Sequence, residues 1–546
     1  MVAEQVRATY DHDEDGFEMA DGAVPKRWQG TAADRKDMSQ LGRVQELRRN
    51  FQFLSILGFG CTLIATWEVL VTTLTTSLTD GGTAGLLWGF IIVCIGFSFV
   101  YLSIAEMASM AVSLRIYDCC SYCWLTSLSK PTSGGQYHWV SEFAPPRAQK
   151  FLSYIVGWLC FTGWQCAITS ITFLAGTIIQ GLIVLNNPDY VYQRYHGTLL
   201  IIAITVFAIL FNTVLAKRLP LVEGLLLVLH VLGLFAIIIT LWVLSPTADA
   251  YDVWTQFTNA GNWNSDGTAT MVGLLSPVIS MIGFDCAVHM SEEVKDAGST
   301  LPRAMLWSVG FNAALGFLMA VTLCFTLGNV DEILATATGY PFIAVFYNAT
   351  HSYAGTNILT LILILTLTSA AIAEVATASR QLWSFARDKG IPGYRWIAHI
   401  TPGWNIPLNA VLVSLVVTTL LSLINIGATA ALNAVLALTT CSLLTSYMIV
   451  IGCILLKRIR GQPLPSSRFN LGRWGIVINI LAMCYLAPIF VFSFFPGATP
   501  VTLPTMNWAI VMYAGIMGFA TAYYFIWGHK HYVPPVALVK RDVYEQ

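Results

Sequence analysis

Long apolar runs alternate with short polar connections along the whole chain. Twelve of these runs are each long enough to cross the roughly 30 Å hydrocarbon core of a bilayer as a helix. We predict membrane spans over residues 52–74, 84–107, 150–184, 197–215, 219–245, 270–291, 304–327, 356–379, 407–426, 429–456, 474–495 and 507–528. A transmembrane β-barrel would instead show alternating segments of about ten residues. The pattern therefore predicts an all-α, polytopic membrane protein.

The segments outside the spans divide the chain into three parts. Residues 1–50 are polar and charged and contain no apolar signal-peptide region. We expect them to form a cytosolic N-terminal tail. Residues 51–528 carry the spans as one transmembrane domain, and residues 529–546 form a second cytosolic tail.

Composition and charge agree with this organisation. The chain is 56% hydrophobic and 11% charged, whereas about 25% of the residues of a soluble protein are charged. Of its 29 Lys and Arg residues, 28 lie in the two tails and the even-numbered connections, and only Arg194 lies on the other side. The positive-inside rule makes the basic side cytosolic. We expect the plasma membrane, with the vacuolar membrane as the alternative.

Apart from Lys150 at the first position of the third span, no Lys or Arg lies within a predicted span, but a few other ionisable residues do. Each is costly in hydrocarbon and so indicates function by default, unless it lies near an interface or bonds a neighbouring backbone. These residues are Glu68, Glu223, His230, Asp285, His289 and Glu374. Glu292 and Glu293 follow the sixth span, and we interpret them as gate or loop residues.

Glycine and proline interrupt spans 1 and 6. Span 1 contains Gly58 and Gly60, and span 6 contains Pro277 and Gly283. Interrupted helices at corresponding positions of two halves indicate the binding site of many secondary transporters. The alternative is that these glycines allow tight helix packing.

Four motifs carry a family resemblance. They are "GFDCAVHMSEEVKDAGSTLPRAM" in span 6, "SIAEMASMA" followed later by "PTSGGQYHWVSEFAP", "ATASRQLWSFARDKGIPGY" after span 8, and "LPSSRFNLGRWG" before span 11. In this order they resemble the amino acid–polyamine–organocation (APC) superfamily. The last motif fits its amino acid/choline transporter family, best known from fungal GABA and choline permeases.

The resemblance implies a fold and a mechanism. It implies a five-plus-five inverted repeat with broken helices 1 and 6, two further helices, and alternating access commonly driven by protons. It places the break of span 1 around residues 64–69, where many relatives have a Gly-Ser-Gly-like sequence and this chain has "ATWE". It also aligns His230 with a Lys of several proton-coupled relatives. His230 could serve as a proton site or simply bond a backbone carbonyl.

We therefore expect a permease that imports a small amine, such as an amino acid, GABA or choline, with protons. Aromatic faces and a carboxylate suit an ammonium group. The expected substrate-binding residues are Thr66, Trp67, Glu68, Trp164, Gly283, Phe284 and Asp285. Glu68 and His230 are the expected proton-coupling residues.

Other functions remain as alternatives. A non-transporting nutrient sensor of the same fold, or a carrier of polyamines or other organic cations, fits the same motifs. The chain has no catalytic motif in a plausible context, so we expect neither enzyme activity, nor a cofactor, nor a metal site. The tails are the expected contact for ubiquitin ligase adaptors.

Residues 112–130 interrupt the second motif. Without them the sequence reads "EMASMAPTSGGQYHWV", which is the uninterrupted family-like form. Val112-Ser113 can be encoded by GTAAGT and Lys130 by AAG, which match the two ends of a fungal intron. We interpret this stretch as an unspliced intron in the cytosolic 2–3 connection. The alternatives are a genuine insertion or, through its cluster of three cysteines, a metal site, although no second ligand pair lies nearby.

Sequencing of transcripts across codons 111–131 tests this interpretation. We expect most mature messages to join Ala111 directly to Pro131. Messages whose reading frame downstream of codon 131 is intact serve as the control for message quality. If nearly all messages keep codons 112–130, the stretch is a genuine insertion.

Overall fold

The computed structural model describes residues 30–31, 34, 45–110, 132–401, 406–427, 431–465, 467–503 and 505–537. Over these residues it contains no β-strand, only helices, their connections and three isolated bridges. The helices long and apolar enough to cross a membrane are α1 (Phe53–Thr72), α2 (Gly82–Ser109), α3 (Gln149–Asn186), α4 (Arg194–Val214), α5 (Leu219–Leu244), α6 (Asp266–His289), α7 (Ala297–Thr326), α8 (Tyr353–Arg387), α9 (Leu408–Gly427), α10 (Leu432–Ile459), α11 (Gly472–Phe492) and α12 (Ala509–Ala537). The twelve predicted spans are confirmed.

Burial divides these helices into a central group and a surrounding group. In the most apolar window of α1, α6 and α10, 83% of the residues are buried, and in α3 and α8 72% are. The share falls to between 17% and 39% in α4, α5, α9, α11 and α12. The latter helices therefore face the lipid, and α1, α3, α6, α8 and α10 enclose the centre.

Both α1 and α6 are interrupted, but Gly58 and Gly60 do not interrupt α1. They lie within the continuous helix Phe53–Ile64, where they allow close packing against α5 and α7. In α1 the helix stops at Ile64 and restarts at Thr66, because Ala65 adopts a left-handed conformation with φ 46° and ψ 49°. A residue with a side chain rarely takes this conformation, which costs roughly 1–2 kcal/mol. In α6 the break covers residues 282–285, where Gly283 has φ 104°. The interrupted helices stand five apart in the chain, as an inverted repeat requires.

Helix α8 extends further than its sequence predicts. It continues to Arg387, so that Arg380 and Arg387 lie within it, and the expectation that no Arg lies in a span is wrong. Arg380 is 1% exposed and pairs with Glu293, which follows α6. The pairing explains how the helix keeps a buried cation.

The ends of the transmembrane domain pack against the basic face, the side of the bundle that carries nearly all Lys and Arg. Arg49 donates to the backbone oxygens of Ser291 (3.1 Å) and Val294 (2.5 Å). At the other end, Tyr532 is 1% exposed and its hydroxyl lies 2.7 Å from that of Ser153. Residues 45–50 and 529–537, which the sequence places in the tails, thus belong to the packed structure. The suspected insert 112–130 lies outside the described residues.

On the face opposite the basic face, Asp80 joins the 1–2 connection to the 5–6 connection. The Gly261 N–H donates to its Oδ1 at 3.2 Å, and the Ala260 N–H donates to the Thr79 carbonyl at 3.0 Å. Burial raises the pKa of the Asp80 carboxyl to about 6, against the smaller opposite effect of the Gly261 hydrogen bond. The Asp80 carboxyl is therefore easier to protonate in the folded protein than in the unfolded chain.

This pKa predicts how pH affects stability. A raised folded-state pKa stabilises the fold at low pH, and the contribution is lost as pH rises through about 6. We expect Asp80→Asn to raise the melting temperature of the purified protein at pH 7.5 by about 2 °C, with little change at pH 4.5. Asp189→Asn, at an exposed loop residue, is the control. An equal decrease at both pH values would contradict the account.

Candidate substrate cavity and its titratable groups

A cavity of about 50 Å³ lies in the centre of the bundle, where the breaks of α1 and α6 meet α3, α8 and α10. It has room for a few water molecules. Its lining is mostly aliphatic. The exceptions are Trp164 and Ser170 on α3, Glu374 on α8 and Thr439 on α10.

Glu374 is the ionisable residue of this cavity. Its Oε2 is buried and has no hydrogen-bond partner among the described residues. No Lys, Arg or His lines the cavity. A buried carboxyl without a partner is costly, so the site suits either a bound cation or a proton.

Two of the predicted substrate-binding residues line the same cavity. A Cβ at Gly283 would lie 3.1 Å from the Ile64 side chain and 3.4 Å from the Trp164 ring, so only glycine fits there without a shift. The indole Nε1 of Trp164 is buried and has no partner among the described residues. Trp164 thus offers both a ring and a free donor beside Glu374.

The predicted proton-coupling residues lie together but outside this lining. Nδ1 of His230 on α5 lies 2.7 Å from Oε1 of Glu68, and both side chains are buried. His230 is therefore bonded to a carboxylate and not to a backbone carbonyl. Oε2 of Glu68 and Nε2 of His230 have no partner among the described residues.

The neighbours of Glu68 pack against other helices. The ring of Trp67 lies 5.8 Å from that of His230. Thr66 faces α7, where a Cβ added to Gly316 would lie 2.8 Å from its methyl group. Neither residue is among those that line the cavity.

Tyr101 on α2 satisfies the break of α6. Its hydroxyl accepts from the N–H groups of Gly283 (2.9 Å) and Phe284 (3.3 Å) and donates to the Met281 carbonyl (3.0 Å). These are the backbone groups that an interrupted helix leaves open. The sequence analysis missed Tyr101, because a tyrosine within an apolar run carries no signal of what it contacts.

Asp285 ties α6 to its neighbours. Its carboxylate accepts short hydrogen bonds from the Gln136 amide and the Tyr447 hydroxyl, and it lies 3.4 Å from Nε2 of His289. The ring of Phe284 packs edge-on against Tyr101. Asp285 and Phe284 are also not among the lining residues.

The two predicted gate residues, Glu292 and Glu293, form ion pairs on the basic face. Glu292 accepts a bidentate pair from Arg387, with distances of 2.8 and 3.1 Å, and Glu293 pairs with Arg380 at 2.8 Å. Bidentate, largely buried pairs of this kind hold a fixed geometry. They fasten the end of α6 to the end of α8.

Comparison with known proteins agrees with this geometry. The sequence model of the amino acid permease family matches residues 110–516. The chain belongs to this family. A putative amino acid/polyamine transporter of Macrophomina phaseolina is 30% identical over 83% of this chain and 96% of its own length. The permease is also 28% identical to the choline transporter of Saccharomyces cerevisiae, over 97% of this chain and 87% of that protein.

A plant relative extends the comparison beyond fungi. An amino-acid permease of Arabidopsis thaliana is 25% identical over 92% of this chain and 96% of its own length. The APC resemblance seen in the motifs is confirmed. The protein is a multi-pass membrane transporter and not an enzyme.

The buried ion pair between Arg380 and Glu293 leads to a prediction about the stability of the fold. Arg380→Met leaves the Glu293 carboxylate buried without its partner and should lower the free energy of unfolding by about 3 kcal/mol. Adding Glu293→Gln should recover most of that loss. Unfolding in detergent by denaturant is the measurement.

An exposed pair provides the matched control. Arg468 and Asp296 pair at 2.7 Å, and both are more than one third exposed. Arg468→Met should cost less than about 1 kcal/mol. If Arg380→Met costs no more than this control, the gate pair does not stabilise the closed basic face.

Proposed function

We propose that this permease imports a small organic cation without a carboxylate, of the choline type, together with protons. The observation that carries the proposal is Glu374, whose buried carboxyl faces a cavity without any cationic side chain. A carboxylate beside the Trp164 ring suits an ammonium group, because cation–π attraction reaches about 2 kcal/mol when the site is dry.

The absence of an open place for a carboxylate supports a cation over a zwitterion. The Tyr101 hydroxyl occupies the N–H groups of Gly283 and Phe284. At the break of α1, Glu68 lies in the first turn of the restarted helix, where its charge would repel a substrate carboxylate. An amino acid carboxylate would thus find two backbone N–H groups occupied at the break of α6 and a negative charge at the break of α1.

A polyamine fits less well than a monocation. Among the described residues, Glu374 is the one acidic residue that lines the cavity. The Glu68 carboxylate bonds His230. The Asp285 carboxylate accepts from Gln136 and Tyr447. A polyamine carries several ammonium groups and would need several free carboxylates. A choline transporter among the relatives fits the proposed substrate class.

The Glu68–His230 pair supports proton coupling. A histidine titrates close to neutral pH, and the unpartnered Nε2 of His230 offers a place for a proton. We further propose cytosolic termini, a plasma-membrane location and ubiquitin ligase adaptors on the tails. A transport assay also excludes or supports the sensor alternative.

Uptake of labelled choline in a permease-deficient host tests the substrate class. Glu374→Gln should lower uptake at least about tenfold, because it removes the buried negative charge that attracts the quaternary ammonium. Glu332→Gln is the matched control, because Glu332 is an exposed residue of the short helix Val330–Leu334. Unchanged uptake by Glu374→Gln would remove Glu374 from the site.

A pH series tests the coupling pair. Wild-type uptake should fall as the outside pH rises toward neutrality. Glu68→Gln should lower uptake more than about tenfold, since it removes the negative charge that stabilises a proton on His230, and the remaining uptake should lose its pH dependence. A variant with the wild-type pH profile would disprove the role of the pair.

A further inference from the structure

A second titratable site lies on the same helix as His230. Glu223, in the first turns of α5, has no exposed surface. Its Oε2 lies 2.5 Å from the Thr62 hydroxyl on α1, and its Oε1 has no partner among the described residues. The function proposed above makes no use of this carboxyl.

The hydrogen bonds around Glu223 favour a carboxyl that carries a proton. The Thr62 hydroxyl also lies 3.0 Å from the Gly58 carbonyl, but it has only one hydrogen to donate. If Glu223 is neutral, it can donate to Thr62, and Thr62 can donate to Gly58. If Glu223 is ionised, the Thr62 hydroxyl must donate its hydrogen to the carboxylate. The buried charge of Glu223 then has one neutral hydrogen-bond partner.

Glu223 and His230 are two turns apart on one face of α5. Seven residues of helix separate them by about 10 Å. Glu223 is the closer of the two to the basic face, since it lies about 6 Å from the start of α5. Each has one buried polar atom without a hydrogen-bond partner among the described residues. These atoms are Oε1 of Glu223 and Nε2 of His230.

Helices α1, α7 and α8 and the helix Pro341–Thr350 pack against α5. Their titratable residues are Cys61, Glu68, Arg303, Cys324, Tyr347, Tyr353, Glu374, Arg380 and Arg387. Within the described part of the chain, none of them pairs with or hydrogen-bonds Glu223, and Arg303 is exposed. The charge of Glu223 is therefore not neutralised by a neighbouring cation.

We propose that Glu223 is a second proton-binding residue, which receives the coupled proton from the Glu68–His230 pair and releases it at the basic face. This rests on the proton coupling proposed above. The O–H bond of the Glu223 carboxyl breaks first, and water on the basic face takes that proton. The N–H bond at Nε2 of the imidazolium then breaks, water carries its proton, and an O–H bond forms again on the Glu223 carboxylate, so one proton crosses for each cycle.

Proteoliposomes with the purified transporter separate the two roles. Labelled choline is followed in counterflow without a pH gradient and in accumulation driven by an imposed gradient, with an internal pH dye. Glu223→Gln should keep counterflow within about twofold and lose accumulation and proton entry by at least about tenfold. Thr62→Ser, which keeps the hydroxyl, should behave as the wild type.

Each other outcome has a definite meaning. Wild-type accumulation by Glu223→Gln overturns the role of Glu223 and leaves the proposed function intact. Equal loss of counterflow and accumulation makes Glu223 structural and overturns it as well. A wild type without pH-driven accumulation overturns proton coupling itself.

A spectroscopic measurement covers the case in which Glu223→Gln does not fold. The pH-induced infrared difference spectrum of the wild type should show a protonated carboxyl in a dry site. Thr62→Val should shift this band, because it removes the hydrogen-bond partner of Glu223. A band that does not respond to Thr62→Val overturns the proposal.

Discussion

The structure depends on one constraint, that every backbone polar group at membrane depth needs a partner. A continuous helix meets it alone, but α1 and α6 are interrupted in the centre of the bundle. The Tyr101 hydroxyl satisfies the break of α6, accepting two N–H bonds and donating to one carbonyl. Because the break is closed in this way, the cavity beside it offers a substrate side chains rather than free backbone donors.

The same constraint, applied to charges, distinguishes one carboxylate from the others. Asp285 accepts two short hydrogen bonds, Glu68 has His230, and Glu106 accepts a bidentate bond from Arg458. Glu223 has at least the Thr62 hydroxyl. Glu374 has no such partner for its Oε2 and faces the cavity. The proposed cation would pair with this carboxylate.

Sequence alone predicted the elements better than their orientation. Apolar run length is local, so the twelve spans could be predicted, and Gly283 indicated the break of α6. The family resemblance implied the break of α1 at residues 64–69. Glu68 and His230 were expected to share a role in proton coupling, but their contact was not predicted. The face of a helix that meets the cavity depends on how the helix packs against its neighbours. That Glu374 rather than Glu68 lines the cavity could therefore not be predicted from the sequence. Arg380 was assigned to a connection for a similar reason, since its partner lies 87 residues away.

The most direct test of the cation site is equilibrium binding to the purified transporter. Choline and glycine betaine share a trimethylammonium group, but betaine adds a carboxylate. We predict that choline binds at least about tenfold more tightly than betaine, because the betaine carboxylate is repelled by Glu68 at the break of α1, and that Glu374→Gln weakens choline at least about tenfold. Equal affinity for the two ligands, or a preference for betaine, would contradict the account.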